Sequence, residues 1–286
     1  MSGDWIAGGV RARGLAAADL DDMAERVALT ADLDAARAAL GQTKWGLHLA
    51  EVTTVGAAQR KIFEALLWQL RILAGWLPSE GVESVRSCVM WFELRNIEDR
   101  LAFFAGAPAE TPYELGRLGI ISRGLGGTGS ASEIRRLMRP SAWGDPGGED
   151  LYTIRISMRR AWYRRARLAA PELRVWADAA ALLFGRRERL AHRTGGDALE
   201  PAPISLPADW KWASATPWSV EDLWQAEARW WEQVREDGRR LSHGVIGSTG
   251  PVIGTIAILA SSAHRIATAL EIASGGGSTE PIDAVR

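Results

Sequence analysis

The stretch VESVRSCVMWFELRNIEDRLAFF, Val82 to Phe104, decides the fold class. Val82, Val85, Val89 and Phe92 recur at helical spacing and make one apolar stripe, and Leu94, Ile97, Leu101 and Phe104 make a second. A helix that is apolar on more than one side belongs at the centre of a fold, packed on several neighbours at once. Before it, Ile62, Leu66, Leu70 and Leu73 lie on one face of a long helix that must end near Leu77-Pro78, because the residue before a proline is pushed out of the helical region.

Working towards the N-terminus, Leu20, Met23 and Val27 share a face, and Leu33, Ala36 and Leu40 repeat the pattern behind Asp32, a side chain suited to cap a helix. Towards the C-terminus, helices are expected over Ser132–Met138, Leu151–Ala169, Val175–Ala191, Val220–Leu241 and Val252–Ala273. Ala107–Pro112 and the glycine-rich Gly124–Ser130 read as loops, the second as no more than a joint. The segment 194–217, with its prolines and Gly195-Gly196, reads as a linker. No alternating run is long enough for a strand. The fold class is therefore all-α, a helical bundle built from related repeats, with a first repeat over 1–123, a second over 124–193, the linker, and a third over 218–286.

The repeats announce themselves in an echo. Thr43-Lys44-Trp45-Gly46 and Ser141-Ala142-Trp143-Gly144 each follow a short helix that ends at the same offset, at Leu40 and Met138, and each precedes a long helix. A second echo aligns Arg95-Asn96-Ile97 and Leu101 with His264-Arg265-Ile266 and Leu270.

Composition narrows the function classes. The chain is 47% hydrophobic and 24% charged, the range of an ordinary globular protein, and its net charge of −1 lacks the basic excess of a sequence-independent phosphate binder. Cys88 is the only cysteine, so an intramolecular disulfide and a cysteine metal cage are both excluded. The first residues lack the pattern of a secretory signal, and Val252–Ala263, the most apolar run, is shorter than the ~20 residues that cross a bilayer core. A cytoplasmic location without a membrane-spanning segment is the expectation. Fourteen tryptophans against three tyrosines, with arginine in place of lysine almost throughout, favour a subunit with partners, since tryptophan and arginine are enriched at interface hot spots.

No chemical signature emerges. Gly126-Gly127-Thr128-Gly129-Ser130 lacks the Gly-Lys-Ser/Thr ending of a phosphate-binding loop, and Gly244–Gly250 reads as a connector. The four histidines form no pair at helical spacing, so no metal site and no cofactor are expected. Cys88, within an apolar helix, reads as a small buried hydrophobe. The polar cluster Glu93, Arg95, Asn96, Glu98, Asp99 and Arg100 must be paired or placed at an interface, because charges on a mostly buried helix are otherwise costly. From Arg155 to Arg193 the chain is dense in arginine with Trp162, Tyr163 and Trp176 interleaved. That pattern leaves open an acidic protein partner, a solvated face, or a free-standing regulatory or nucleic-acid-binding protein.

Three segments resemble one family, the C subunit (the eukaryotic d subunit) of V-type and A-type ATPases. Val10-Arg11-Ala12-Arg13, the short helix to Leu40 and Thr43–Gly46 look like its opening repeat. Phe92-Glu93-Leu94-Arg95-Asn96-Ile97, with Leu101 and Gly106 behind it, looks like its most recognisable helix, in which an acidic residue stands a few positions before Asn-Ile. Pro251-Val252-Ile253-Gly254 and the helix to Ala273 resemble the closing repeat, although Ala263-His264-Arg265-Ile266 stands where an acidic residue and an asparagine are expected. The resemblance implies a funnel-like, pseudo-three-fold helical protein without an active site, which couples a central shaft to the membrane rotor ring. Its partners would be the ring and shaft subunits of a rotary ATPase on the cytoplasmic face of the membrane. Glu93, Arg95, Asn96, Arg100, Trp45, Trp143 and Arg265 would be the motif or interface residues.

Overall fold

The computed structural model describes residues 2–19, 22–46, 48–192, 205–214, 219 and 222–275, and among them the chain is all-helical, with no strand. Helices α1 (Ser2–Ala17), α2 (Met23–Ala28), α3 (Leu33–Leu40), α4 (Val55–Gly75) and α5 (Ser79–Phe104) are followed by a 3-10 turn at Gly116–Leu118. Then come α6 (Ser122–Leu125), α7 (Ala131–Met138), α8 (Leu151–Ala169), α9 (Pro171–His192), a 3-10 turn at Ala208–Ala213, α10 (Leu223–Ser242) and α11 (Gly250–Ser274).

Helix starts follow local chemistry. The Asp32 carboxylate accepts from the Ala35 N–H at 2.8 Å, Thr54 Oγ1 from Ala57, Ser130 Oγ from Glu133, and the Asp150 carboxylate from Thr153 at 2.9 Å. Each satisfies one of the amides that a helix N-terminus leaves without an internal partner.

The chain divides into two compact units, Met1–Leu77 with Trp231–Arg286, and Pro78–Trp230. These boundaries differ from repeats at 1–123, 124–193 and 218–286, because the last helix belongs with the first ones. In the first unit α11 packs on α2, α3 and α4, with α1 laid against α11 and α4. Ile62, Leu66, Leu70 and Leu73 of α4 and Ile253, Leu259, Ile266 and Leu270 of α11 are buried there. Helices α10 and α11 cross at glycines, where a Cβ on Gly254 would lie 2.5 Å from the Gly238 carbonyl oxygen. By length and composition α11 could cross a membrane, but 83% of its apolar window is buried in the protein, the position of a core helix.

The second unit is built around α5, which packs on α6, α7 and α8, while α9 covers α8. Its core joins Met90, Leu94, Ile97 and Leu101 to Ile134, Met138, Trp143, Ile154 and Met158. Trp91 lies 5.2 Å from Trp162 and 5.5 Å from Phe184, ring centre to ring centre, tying α5, α8 and α9 together. The two units therefore repeat one arrangement, α11 with α2, α3 and α4 in one and α5 with α6, α7 and α8 in the other.

Two expectations are corrected. Gly124–Ser130 is more than a joint: Ser122–Leu125 is a helical turn, Thr128 is buried, and its Oγ1 donates to the Leu125 carbonyl at 2.7 Å. Within 194–217, residues 193–204 and 215–218 lie outside the described residues, but 205–214 is packed rather than open. Trp210, Trp212 and Ala213 are buried, and the two indoles stack with centroids 6.0 Å apart.

Candidate functional site

Glu93 is the hub of the second unit. It sits on the inner side of α5, and only 1% of its surface is exposed. Its Oε1 accepts from the backbone N–H groups of Ile120, Ile121 and Ser122, each at 2.8 Å, and from the Ser122 hydroxyl. Its Oε2 accepts from the Trp143 indole N–H at 2.7 Å. All five partners are donors, which is the set a buried carboxylate needs. One side chain thus holds the turn before α6 and the loop after α7 against the central helix.

One helical turn further on, Asn96 does similar work. Its Nδ2 donates to the Tyr113 carbonyl at 2.9 Å and its Oδ1 accepts from the Tyr113 N–H at 2.7 Å, pairing with the backbone as a strand would. Arg100, a turn beyond, donates to the carbonyls of Gly126 and Thr128 and lies over the Phe103 and Phe104 rings at 5.2 and 4.9 Å. Arg95 points outward and pairs with Asp99 at 3.0 Å. The polar cluster of α5 thereby splits into a buried side that positions loops and an outer side that faces solvent.

Trp45 and Arg265 belong to the first unit and are both buried. The segments around Trp45 and Trp143 share their turn bonds. Thr30 Oγ1 donates to the Val27 carbonyl as Thr128 Oγ1 does to Leu125, both at 2.7 Å. Thr43 Oγ1 donates to the Leu40 carbonyl and accepts from the Trp45 N–H, as Ser141 Oγ does with Met138 and Trp143. Arg37 and Arg135, at the same place in α3 and α7, each reach forward to the following loop, the first to the Leu49 and Ala50 carbonyls and the second to Asp145.

Where the two units differ, the difference is chemical. By the alignment of Asn96-Ile97 with Arg265-Ile266, the place of Glu93 falls to Ser262. The carboxylate is supplied from the other side: Asp19, in the connection after α1, accepts from the Ser262 hydroxyl and pairs with Lys44 Nζ at 2.9 Å. Lys44 in turn lies 5.2 Å from the centre of the Trp45 ring. Each unit has a buried carboxylate beside the tryptophan loop, on the central helix in one case and opposite it in the other. Sequence reasoning missed Asp19, Ser122, Tyr113 and Ser262 and gave Lys44 only as a member of the tryptophan motif, and the Asp19 carboxylate could have been sought once the second echo placed a serine at the position of Glu93.

An open cleft beside the hub is lined by Arg117, Ile120, Ser122, Arg123, Leu137 and Pro140. Its inward polar atoms are already engaged, the 120–122 amides by Glu93 and Ser141 Oγ by the Met138 carbonyl. Among the described residues no group of three or more His, Cys, Asp or Glu is arranged to hold a metal ion. Cys88 is half-buried rather than enclosed as the sequence suggested, and desolvation pushes its thiol up, away from thiolate chemistry at neutral pH.

The arginines of α8 are largely matched by acids. Arg155 pairs with Glu98, Arg159 with Glu188 at 3.1 Å, Arg165 with Glu83 and Arg167 with Asp178 at 2.8 Å. Burial is the largest influence on Arg159, drawing its guanidinium below its ordinary value against the opposing pull of Glu188.

One backbone feature of the first unit stands apart. His48 is the one non-glycine residue with positive φ among the described residues, at 65°. The corresponding loop of the second unit uses glycine in this region, Gly144 at 75° and Gly147 at 86°. Left-handed backbone is costly for a residue with a Cβ. His48→Gly is therefore expected to stabilise the protein by about 0.5–1 kcal/mol, read as a higher urea midpoint at unchanged slope; a lower midpoint would mean that the exposed imidazole contributes more than the strain costs.

No protein-family model matches this chain, and no curated protein matches it.

Proposed function

We propose that the chain is a non-catalytic subunit of a V-type or A-type rotary ATPase, the cap that couples the central shaft to the membrane rotor ring. The observation that carries this reading is the repeated unit. The resemblance implies an all-helical protein built from related repeats, and the segments 27–46 and 125–144 share caps, turn bonds and a buried tryptophan. The motif Phe92–Ile97 falls on the central helix, and its acidic residue and asparagine are buried side chains that fasten loops to it. The departure in the closing helix also has a physical account, because Asp19 supplies opposite Ser262 the carboxylate that the helix lacks.

A coupling subunit must pass torque without yielding, and closely packed cores transmit strain. Loops fixed to a buried helix by charge-assisted hydrogen bonds suit that demand. The alternative of a nucleic-acid binder loses ground because Arg155, Arg159, Arg165 and Arg167 each have a carboxylate partner within the protein.

The test is affinity capture of the tagged chain from gently solubilised native membranes, with mass spectrometry of what comes with it. Rotary ATPase ring and shaft subunits are the expected companions. Recovery of the chain alone, or with nucleic acid that salt removes, would overturn the reading.

A further inference from the structure

We propose that the outer face of α1 and the connection between α10 and α11 form a docking surface for anionic lipid headgroups at a membrane interface. Helix α1 is apolar almost all round: between Trp5 and Ala18 every residue except Arg11 and Arg13 is Trp, Ile, Val, Leu, Ala or Gly. Its inner side, with Gly8, Gly9 and Ala12, is buried. The opposite side, with Ile6, Val10, Gly14 and Ala17 in helical register, is exposed, Ile6 at 51% and Val10 at 56%. A helix of this composition is ordinarily covered on every side.

The neighbouring connection extends the surface. A Cβ on Gly9 would lie 3.4 Å from Ile246 Cγ2, and one on Gly247 would lie 3.9 Å from Ile6 Cγ1, so the connection lies directly beside α1. Val245 is 79% exposed and Ile246 36%. The connection is held in place by Arg13, whose guanidinium donates to the carbonyls of Ser242, His243 and Gly244. Two valines and two isoleucines are thus presented outward on a fixed scaffold.

Charge selects the occupant. Across α1 and residues 242–250 the single acidic side chain is Asp4, in the first turn of the helix, while Arg11 and Arg13 carry positive charge. A second copy of the same face would bring arginine against arginine. An anionic lipid surface offers both complements, phosphate for the exposed Arg11, with Arg13 adding positive charge from the scaffold it holds, and an acyl boundary for the aliphatic side chains, as for interfacial helices generally. This inference does not rest on the rotary-ATPase reading, and its test contains no ATPase subunit.

The intact chain is sedimented with protein-free vesicles of phosphatidylcholine, with and without phosphatidylglycerol. Binding is expected with phosphatidylglycerol and is weakened by salt. Joint replacement Val10→Glu and Val245→Glu, at exposed positions, should lower the affinity more than about ten-fold. Arg11→Ala should lower it about five-fold, a readout that stands even if the double variant fails to fold. No binding to phosphatidylglycerol vesicles, or equal binding by Arg11→Ala and by a folded double variant, overturns the proposal. Binding to native membranes alone, abolished by protease stripping, would assign the surface to a protein partner and overturn it as well.

Discussion

Replacing Glu93 by alanine should cost the second unit ~3–5 kcal/mol, because three backbone N–H groups, a hydroxyl and an indole N–H lose their common acceptor inside the protein. Each buried donor left unsatisfied carries a penalty of ~1–3 kcal/mol, and partial relaxation keeps the total below the sum. Glu93→Gln should lose less, since the amide oxygen still serves the 120–122 amides while its NH2 faces another donor. Urea unfolding with proteolysis of the 107–125 region separates the cases. If Glu93→Ala unfolds within ~1 kcal/mol of the parent, the amides have found water, and the carboxylate is free for another role.

Leu101→Ala and Leu270→Ala should each cost ~2–5 kcal/mol. The two leucines occupy matching places on α5 and α11, and both are buried. They differ in which unit they serve, so hydrogen exchange should show Leu101→Ala loosening the amides of Pro78–Trp230 and Leu270→Ala those of Met1–Leu77 and Trp231–Arg286. Protection lost evenly across the chain for both substitutions would mean that the units unfold as one.

Much of the fold was legible because helical periodicity is strong where one side of a helix is buried. The α8 bounds, Leu151–Ala169, follow from its apolar periodicity, and α5 from its two stripes. Helix α1 was not legible as an element, since a segment apolar on all sides has no period to read. Nor was the packing of 205–214, where prolines suggest a linker and the Trp-Lys-Trp pattern that anchors it is too short to weigh against them.

The site was legible by residue type and not by connection. Glu93, Asn96 and Trp143 stand out as polar or aromatic residues within a repeated pattern, but nothing in the sequence pairs Asn96 with Tyr113 or Glu93 with the 120–122 amides. Such contacts depend on how a loop returns to its helix. The echo around Trp45 and Trp143 predicted equivalent geometry, which the shared turn bonds bear out. Arg100 and Arg95, read as neighbours in one cluster, face different surroundings because adjacent helical turns meet different depths of the fold.

The placement of α11 has a consequence for synthesis. Residues 78–230 form a continuous stretch that leaves the ribosome whole, whereas Met1–Leu77 waits for the final helix to complete its core. The usual order of nascent-chain folding, N-terminal part first, should then be reversed, with 78–230 becoming protease-resistant on arrested nascent chains before Met1–Leu77 does. A chain stalled or clipped before residue 250 would carry a finished second half attached to an unclosed beginning, with the apolar faces of α2, α3 and α4 open to chaperones and proteases.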